Sequence, residues 1–144
     1  MQIDETDRSL ITLLQENARM PVTKLAKRLN LARTTVQARL DRLEHSKVIQ
    51  GYAVRLNENM RAPIRATVLL AIEPRSAPTV LARLETHLNV MAVYTTSGRF
   101  DMIVELEAQS TEELDTTLDQ IGEAKGVKSS ESLIHLSTRI NRRR

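Results

Sequence analysis

Apolar residues recur along this chain with two different periods, and the change falls near residue 60. From Asp4 onward Leu10, Ile11, Leu14 and Ala18 return at helical spacing until Arg19-Met20-Pro21. The spacing predicts a first helix, with Asp4 as its cap and Asp7 three residues on. Leu25, Ala26 and Leu29 predict a second helix over 23–29, opposite Lys24, Lys27 and Arg28. Asn30 follows, a residue that tolerates the left-handed conformation a sharp interhelical turn often needs. A third helix is expected over 33–45. At about 100° per residue, Val36, Leu40 and Leu43 fall on one narrow stripe, and Thr34, Thr35, Ala38 and Arg42 face away. VIQGYAVRL, 48–56, reads as a strand or short hairpin turning at Gly51.

After the polar, proline-containing stretch 57–64 the period becomes two. Ala66, Val68, Leu70 and Ile72 alternate with Arg65, Thr67, Leu69, Ala71 and Glu73, as in a strand with one strongly apolar face. Val80, Leu81, Leu84 and Leu88 predict a helix over 77–88. Two strands, 90–96 and 101–108, are joined at Ser97-Gly98-Arg99-Phe100. Ser110 and Glu113 form a candidate capping box for a helix carrying Leu114, Leu118 and Ile121, which Gly126 ends. A last strand is expected over 129–137, giving the order βαββαβ of ferredoxin-like domains. Leu69 and Ile103, on the more polar faces of their strands, suggest that those faces meet a partner subunit. The expected fold class is α+β: a winged helix-turn-helix domain over 1–56, a linker over 57–64 and a ferredoxin-like domain over 65–144.

Charge divides at the same place. Residues 1–60 hold ten Lys/Arg against seven Asp/Glu, whereas 61–140 hold eight against eleven. Within the basic half, 24–42 carries six positive charges and only Asp41 against them, the concentration expected where phosphates are met. A solvated helical face is the plainer alternative. The open side of the third helix decides between them. Thr and Ala can meet thymine methyls, and Arg can grip guanine or phosphate. Three helices with a turn before the third make a helix-turn-helix whose third helix enters the major groove of double-stranded DNA. The residues expected to contact DNA are Lys24, Lys27, Arg28, Arg33, Thr34, Thr35, Gln37, Ala38, Arg39 and Arg42.

Other chemistry drops out. With no cysteine there is no disulfide, thiolate metal site or thiol nucleophile. His45, His87 and His135 show no ligand spacing, so no metal is expected. Asp101, Glu105 and Glu107 share a strand face that reads as solvated or interfacial sooner than as an acid–base set, so the chain is not expected to be an enzyme. The acidic MQIDETDRS start lacks the order of a signal peptide, and no apolar run suits a membrane span, so a cytoplasmic protein is expected. Arg142–Arg144 reads as a tail, with DNA or an acidic neighbour as its alternative contact.

IDETDRSLITLLQENARMPVTKLAKRLNLARTTVQARLDRLEHSKVIQGY, joined to TTSGRFDMIVEL and KGVKSSESLIHL, resembles the Lrp/AsnC (feast/famine) family of prokaryotic transcription regulators over nearly the whole chain. The resemblance implies a regulation domain that dimerises through its sheet, assembles into octamers in many members, and binds a small amino acid. It implies an effector site between dimers, near the Gly-x-x-Asp loop and the hydroxyl-bearing start of the last strand: Gly98, Arg99, Phe100, Asp101, Ser130 and Ser132. The residues offer a reason for the loop, since the 98–100 amides could hold a carboxylate and Asp101 an α-ammonium group. A plain hairpin turn is the alternative. With nothing acidic nearby for a basic side chain, a neutral amino acid is expected, leucine or methionine for example, and no other cofactor. Three positions depart from the family, which commonly has Gly at Asn30, Ser at Ala32 and Gly at Lys47. An architectural DNA-binding protein without effector, and a siroheme-decarboxylase-like enzyme, are the competing readings.

Overall fold

The computed structural model describes residues 2–142 and divides into two compact units, one reaching Arg55 and the other spanning Leu56–Asn141. Arg143 and Arg144 of the terminal tail lie outside the described residues.

The first unit is three helices, α1 (Glu5–Glu16), α2 (Val22–Leu29) and α3 (Arg33–His45). Asp4 caps α1 by accepting the Asp7 amide at 2.8 Å, and Asp7 returns the bond to the Asp4 amide at 3.3 Å, so two otherwise orphaned donors are satisfied. Leu10, Leu14, Leu25, Ala26, Val36, Leu40 and Leu43 form the core together with Met20, which fills the place expected of Ala18. Each fully buried Leu contributes about 1.5–3 kcal/mol. Asn30 ends α2 at φ 54°, ψ 46°, the left-handed turn its side chain tolerates.

The expected wing does not form: among the described residues no strand lies between α3 and the sheet of the second unit. A hairpin needs a second strand to accept its amides, and Val54 stands 84% exposed with none beside it. The segment is instead tied to α3, by the Ile49 amide on the Leu43 carbonyl and by the Tyr52 hydroxyl donating to Glu44 at 2.6 Å. Burial, and after it that bond to a carboxylate, pushes the Tyr52 phenol up to about 12.

The second unit is an antiparallel sheet of β1 (Ile64–Ile72), β2 (Val90–Thr95), β3 (Met102–Ala108) and β4 (Val127–Ile134), with α4 (Ala77–Glu85) and α5 (Thr111–Gly122) on one side. Its order, β2-β3-β1-β4, is that of a ferredoxin-like βαββαβ fold. Ala66, Val68 and Leu70 of β1 and Met102, Val104, Leu106 and Ala108 of β3 pack against Val80, Leu84, Leu114 and Ile121. Boundaries differ from the pattern at four places, one of them the end of β4 at Ile134, three residues before the expected 137. Helix α4 stops at Glu85 and leaves Leu88 96% exposed, outside the helical stripe. Helix α5 stops at Gly122, and Gly126, at φ 98°, makes the turn into β4 instead. Strand β4 therefore starts two residues early. At the α5 start Ser110 accepts the Glu113 amide, but Glu113 does not complete the box. Its carboxylate takes the Gln109 amide at 2.6 Å and Asn89 at 2.8 Å, tying the β2 and α5 ends together.

Candidate nucleic-acid interface and effector loop

The residues expected to meet DNA divide into two groups in the first unit. Lys24, Lys27, Arg28, Arg33, Thr34, Thr35 and Ala38 are exposed. Arg28 approaches Glu16 at 3.9 Å with both side chains about half open, a pair too solvated to hold either. Gln37 spends its amide on Asp41, one turn along α3, at 2.7 Å. Arg39 and Arg42 turn toward α1. Arg39 donates to Asp4 at 2.7 Å and to Asp7 at 2.8 Å, and Arg42 donates to the other Asp7 oxygen at 2.6 Å. These hydrogen bonds hold the Asp4 carboxyl below its usual range, Arg39 first and the Asp7 amide next, and raise Arg39. The Asp7 side chain is fully buried, whereas that of Arg42 is 47% exposed.

Arg42, expected to face away from the core, and Arg39, expected to contact DNA, are thus both tied to acids at the α1 start. A carboxylate in the core needs compensating donors, and two guanidinium groups one turn apart supply them. A sequence signal for it exists. Asp7, Leu10 and Leu14 share one helical stripe, so an acid sits where an apolar residue belongs, and Arg39 and Arg42 repeat at the same spacing on α3.

Local geometry shows what two of the departures noted above cost. Ala32 is the N-cap of α3 and offers no side-chain hydrogen bond, so neither Asn30 nor Thr34 substitutes for a capping hydroxyl. Lys47 lies at φ 60°, in the left-handed region that a glycine would occupy without strain.

In the second unit, loop 96–101 is a closed hairpin. The Thr96 amide donates to the Asp101 carbonyl at 2.9 Å and its hydroxyl to the Phe100 carbonyl at 2.7 Å, while Gly98 takes φ 113°. The Arg99 guanidinium lies 5.4 Å from the Phe100 ring centre. The amides of Gly98, Arg99 and Phe100 donate to no acceptor among the described residues. Asp101 is less free than expected: its carboxylate accepts the Ile72 amide at 2.9 Å, and its own amide donates to the Leu70 carbonyl at 2.7 Å. It pins the hairpin to the end of β1. Leu70 pairs on its other side with Ser130, so the loop and Ser130 lie at the same end of the sheet, roughly 9.5 Å apart across two strand spacings. Ser132 pairs with Val68 two residues further along. Both serines are exposed.

Asp101 also lines a recess of about 360 Å³ with Glu73, Arg75 and Thr95, at the start of α4, which the sequence did not reveal. Among the described residues no group of His, Asp or Glu is arranged to hold a metal ion, and no helix is long and apolar enough to cross a membrane.

A family model described as an AsnC-type helix-turn-helix domain matches residues 3–44, and one described as an Lrp/AsnC ligand binding domain matches 65–144. An HTH-type transcriptional regulator of Pyrococcus abyssi is 31% identical over 139 residues, 96% of this chain and 92% of the relative. The Mycobacterium tuberculosis leucine response regulatory protein superposes with a TM-score of 0.80 at 31% identity, covering 98% of this chain and 97% of that one. A transcriptional regulator of Neisseria meningitidis, solved as its L-methionine complex, shares the fold with a TM-score of 0.86 at 22% identity, over 97% and 94% of the two chains.

Proposed function

The chain belongs to the Lrp/AsnC family of HTH-type transcription regulators, and from that membership we propose that it reads double-stranded DNA with α3 and answers to a neutral amino acid. The observation that carries the DNA reading is the exposed Thr34, Thr35 and Ala38 on α3, immediately after the left-handed Asn30 turn. These short side chains let the helix approach base edges closely, N-terminal end leading, while Lys24, Lys27, Arg28 and Arg33 meet phosphates. Arg39 and Gln37 serve the helix itself, through Asp4, Asp7 and Asp41. The protein works in the cytoplasm, at the nucleoid, and carries out no catalysis.

Pairing comes from the sheet face away from the helices. There Leu69 and Ile103 are half-buried and Tyr94 and Leu133 about half exposed, an apolar patch that a second copy would cover. Homodimers built on it set two α3 helices roughly 34 Å apart, and dimers assemble further to octamers. For the effector, Asp101 stays with the Ile72 amide. Arg75 and the open amides of 98–100 then receive the carboxylate, and Glu73 receives the ammonium group. With Glu73 given to the ammonium group and Asp101 bonded to the Ile72 amide, a neutral effector is favoured, as it is by the methionine complex and the leucine response of the two relatives. Ser130 and Ser132 close the site from β4. The engagement of Asp101 also gives weight to an effector-free, architectural reading.

Two measurements test this. Selection from a random duplex pool should enrich a near-palindrome, and calorimetric titration with the twenty amino acids should find a neutral binder. Enrichment of one sequence with no amino acid bound leaves the architectural reading. No enrichment overturns the DNA reading itself.

A further inference from the structure

Arg42 sits on the groove-facing side of α3 by its backbone, yet its side chain is tied behind it. On the helical wheel it is about 40° from Ala38 and about 20° from Thr35, the residues whose exposure marks that face. Its guanidinium nevertheless reaches the buried Asp7 at 2.6 Å. Asp7 takes Arg39 on its other oxygen, and Asp4 takes Arg39 again, so two acids and two bases form one closed set between the α1 start and α3. A guanidinium has five N–H donors in a fixed planar fork, and Arg42 remains 47% exposed after its bond to Asp7 is made.

We propose that Asp7 is a positioning residue for DNA recognition: it fixes one edge of the Arg42 guanidinium and turns the other edge outward to take a backbone phosphate beside α3. A tethered guanidinium can make that contact only when α3 is seated in one register, so the contact aligns the helix as well as attracting DNA. Exposed Lys24 and Lys27 attract phosphates without that restriction. The inference rests on the DNA reading proposed above.

The assay uses the full chain with two probes: the duplex that the wild-type protein enriches from a random pool, and sheared bulk DNA as the non-specific competitor. Asp7→Asn keeps the size of the side chain but removes its charge and one of its two acceptor oxygens, which loosens the hold on Arg42. The charge near DNA is then retained, so binding to bulk DNA holds or strengthens, while affinity for the enriched duplex falls about tenfold or more, the worth of one charge-assisted contact. The ratio of the two affinities therefore falls. Arg42→Ala should reduce the same ratio and make the salt dependence shallower by about one unit of log–log slope. Arg42→Lys keeps the charge but loses the rigid planar fork that aims one edge at the carboxylate and the other at the phosphate, so it should lower the ratio and leave the slope unchanged.

A merely structural tie predicts something else. Both affinities would fall by one factor as folded protein is lost, and Arg42→Ala would leave the slope unaltered. That result overturns the inference and leaves the DNA reading standing. Should Asp7→Asn fail to fold, Arg42→Lys decides alone, an unchanged ratio being fatal. A wild-type chain that enriches no duplex overturns both.

Discussion

Gly126→Ala and Gly98→Ala make a matched pair whose difference can be worked out beforehand. Both glycines have positive φ, 98° and 113°, so each alanine incurs a backbone penalty of about 1–2 kcal/mol. Only Gly126 is also crowded. A Cβ there would stand 2.6 Å from Ser76 Cβ and 3.1 Å from Val80 Cγ2, whereas at Gly98 no atom of the described residues lies within 4 Å. Carbon atoms rest at about 3.5–4.0 Å. Ser76 cannot retreat cheaply, because its amide donates to Glu73, its carbonyl accepts from Val80, and Glu73 is itself bonded to the Gly126 carbonyl at 2.7 Å. Overpacking of this kind adds about 1–3 kcal/mol. Gly98→Ala should therefore cost about 1–2 kcal/mol and Gly126→Ala about 2–5 kcal/mol. In a Tyr52→Phe background, fluorescence from Tyr94 reports the sheet unit alone, and urea melts at one fixed protein concentration give the comparison. The Gly126→Ala midpoint should lie on the order of 1 M below that of Gly98→Ala. Equal midpoints, or a weaker Gly98→Ala, would refute the assignment of the clash.

Other perturbations have directions fixed by geometry. Ala32→Ser supplies the missing cap of α3 and should stabilise the helical unit by about 1 kcal/mol, read as a rise in its thermal midpoint. Lys47→Gly relieves the left-handed residue at φ 60° and should stabilise the same unit by up to about 1 kcal/mol, in the same assay. Burial first and the Arg83 charge second hold the His87 imidazole below its ordinary value, and its Nε2 is buried without a partner among the described residues. A depressed folded value means that its contribution is fully present above about pH 6.5 and is lost as pH falls from there, since only the unfolded chain takes up the proton. The urea midpoint of the sheet unit should accordingly drop between pH 7.5 and 5.5, and His87→Gln should flatten the drop.

Much of this was legible because periodicity reports burial directly. The stripe of Val36, Leu40 and Leu43 and the alternation of Ala66, Val68 and Leu70 each emerge buried as the spacing requires. What escaped depends on partners far away in sequence. The spacing of Arg39 and Arg42 does not by itself name Asp7, 35 residues before Arg42, as the partner that holds it, and Glu113 satisfies the local grammar of a capping box while its carboxylate goes to Asn89 and Gln109. The wing failed for the related reason that VIQGYAVRL has strand composition but no strand to pair with. The loop at Gly98 was legible as a turn, yet the bond from Ile72 to Asp101 belongs to the sheet end and has no local signature.

The two free margins of the sheet differ in a way that bears on how the protein behaves at high concentration. The β2 margin, VMAVYT, is apolar enough to nucleate growth of foreign strands, but its pairing with β3 slips between Val90 and Ala92. Such a bulge twists a margin away from flat extension. The β4 margin is regular opposite Ala66 to Ala71 of its partner strand, and there it reads Ser129, Ser130, Glu131 and Ser132 before it turns apolar only at Leu133 and Ile134, too short an apolar run to seed a dry zipper. Neither margin combines flatness with a long apolar run. Copies that meet edge to edge gain little, so crowded solutions of this chain should stay clear of fibrils.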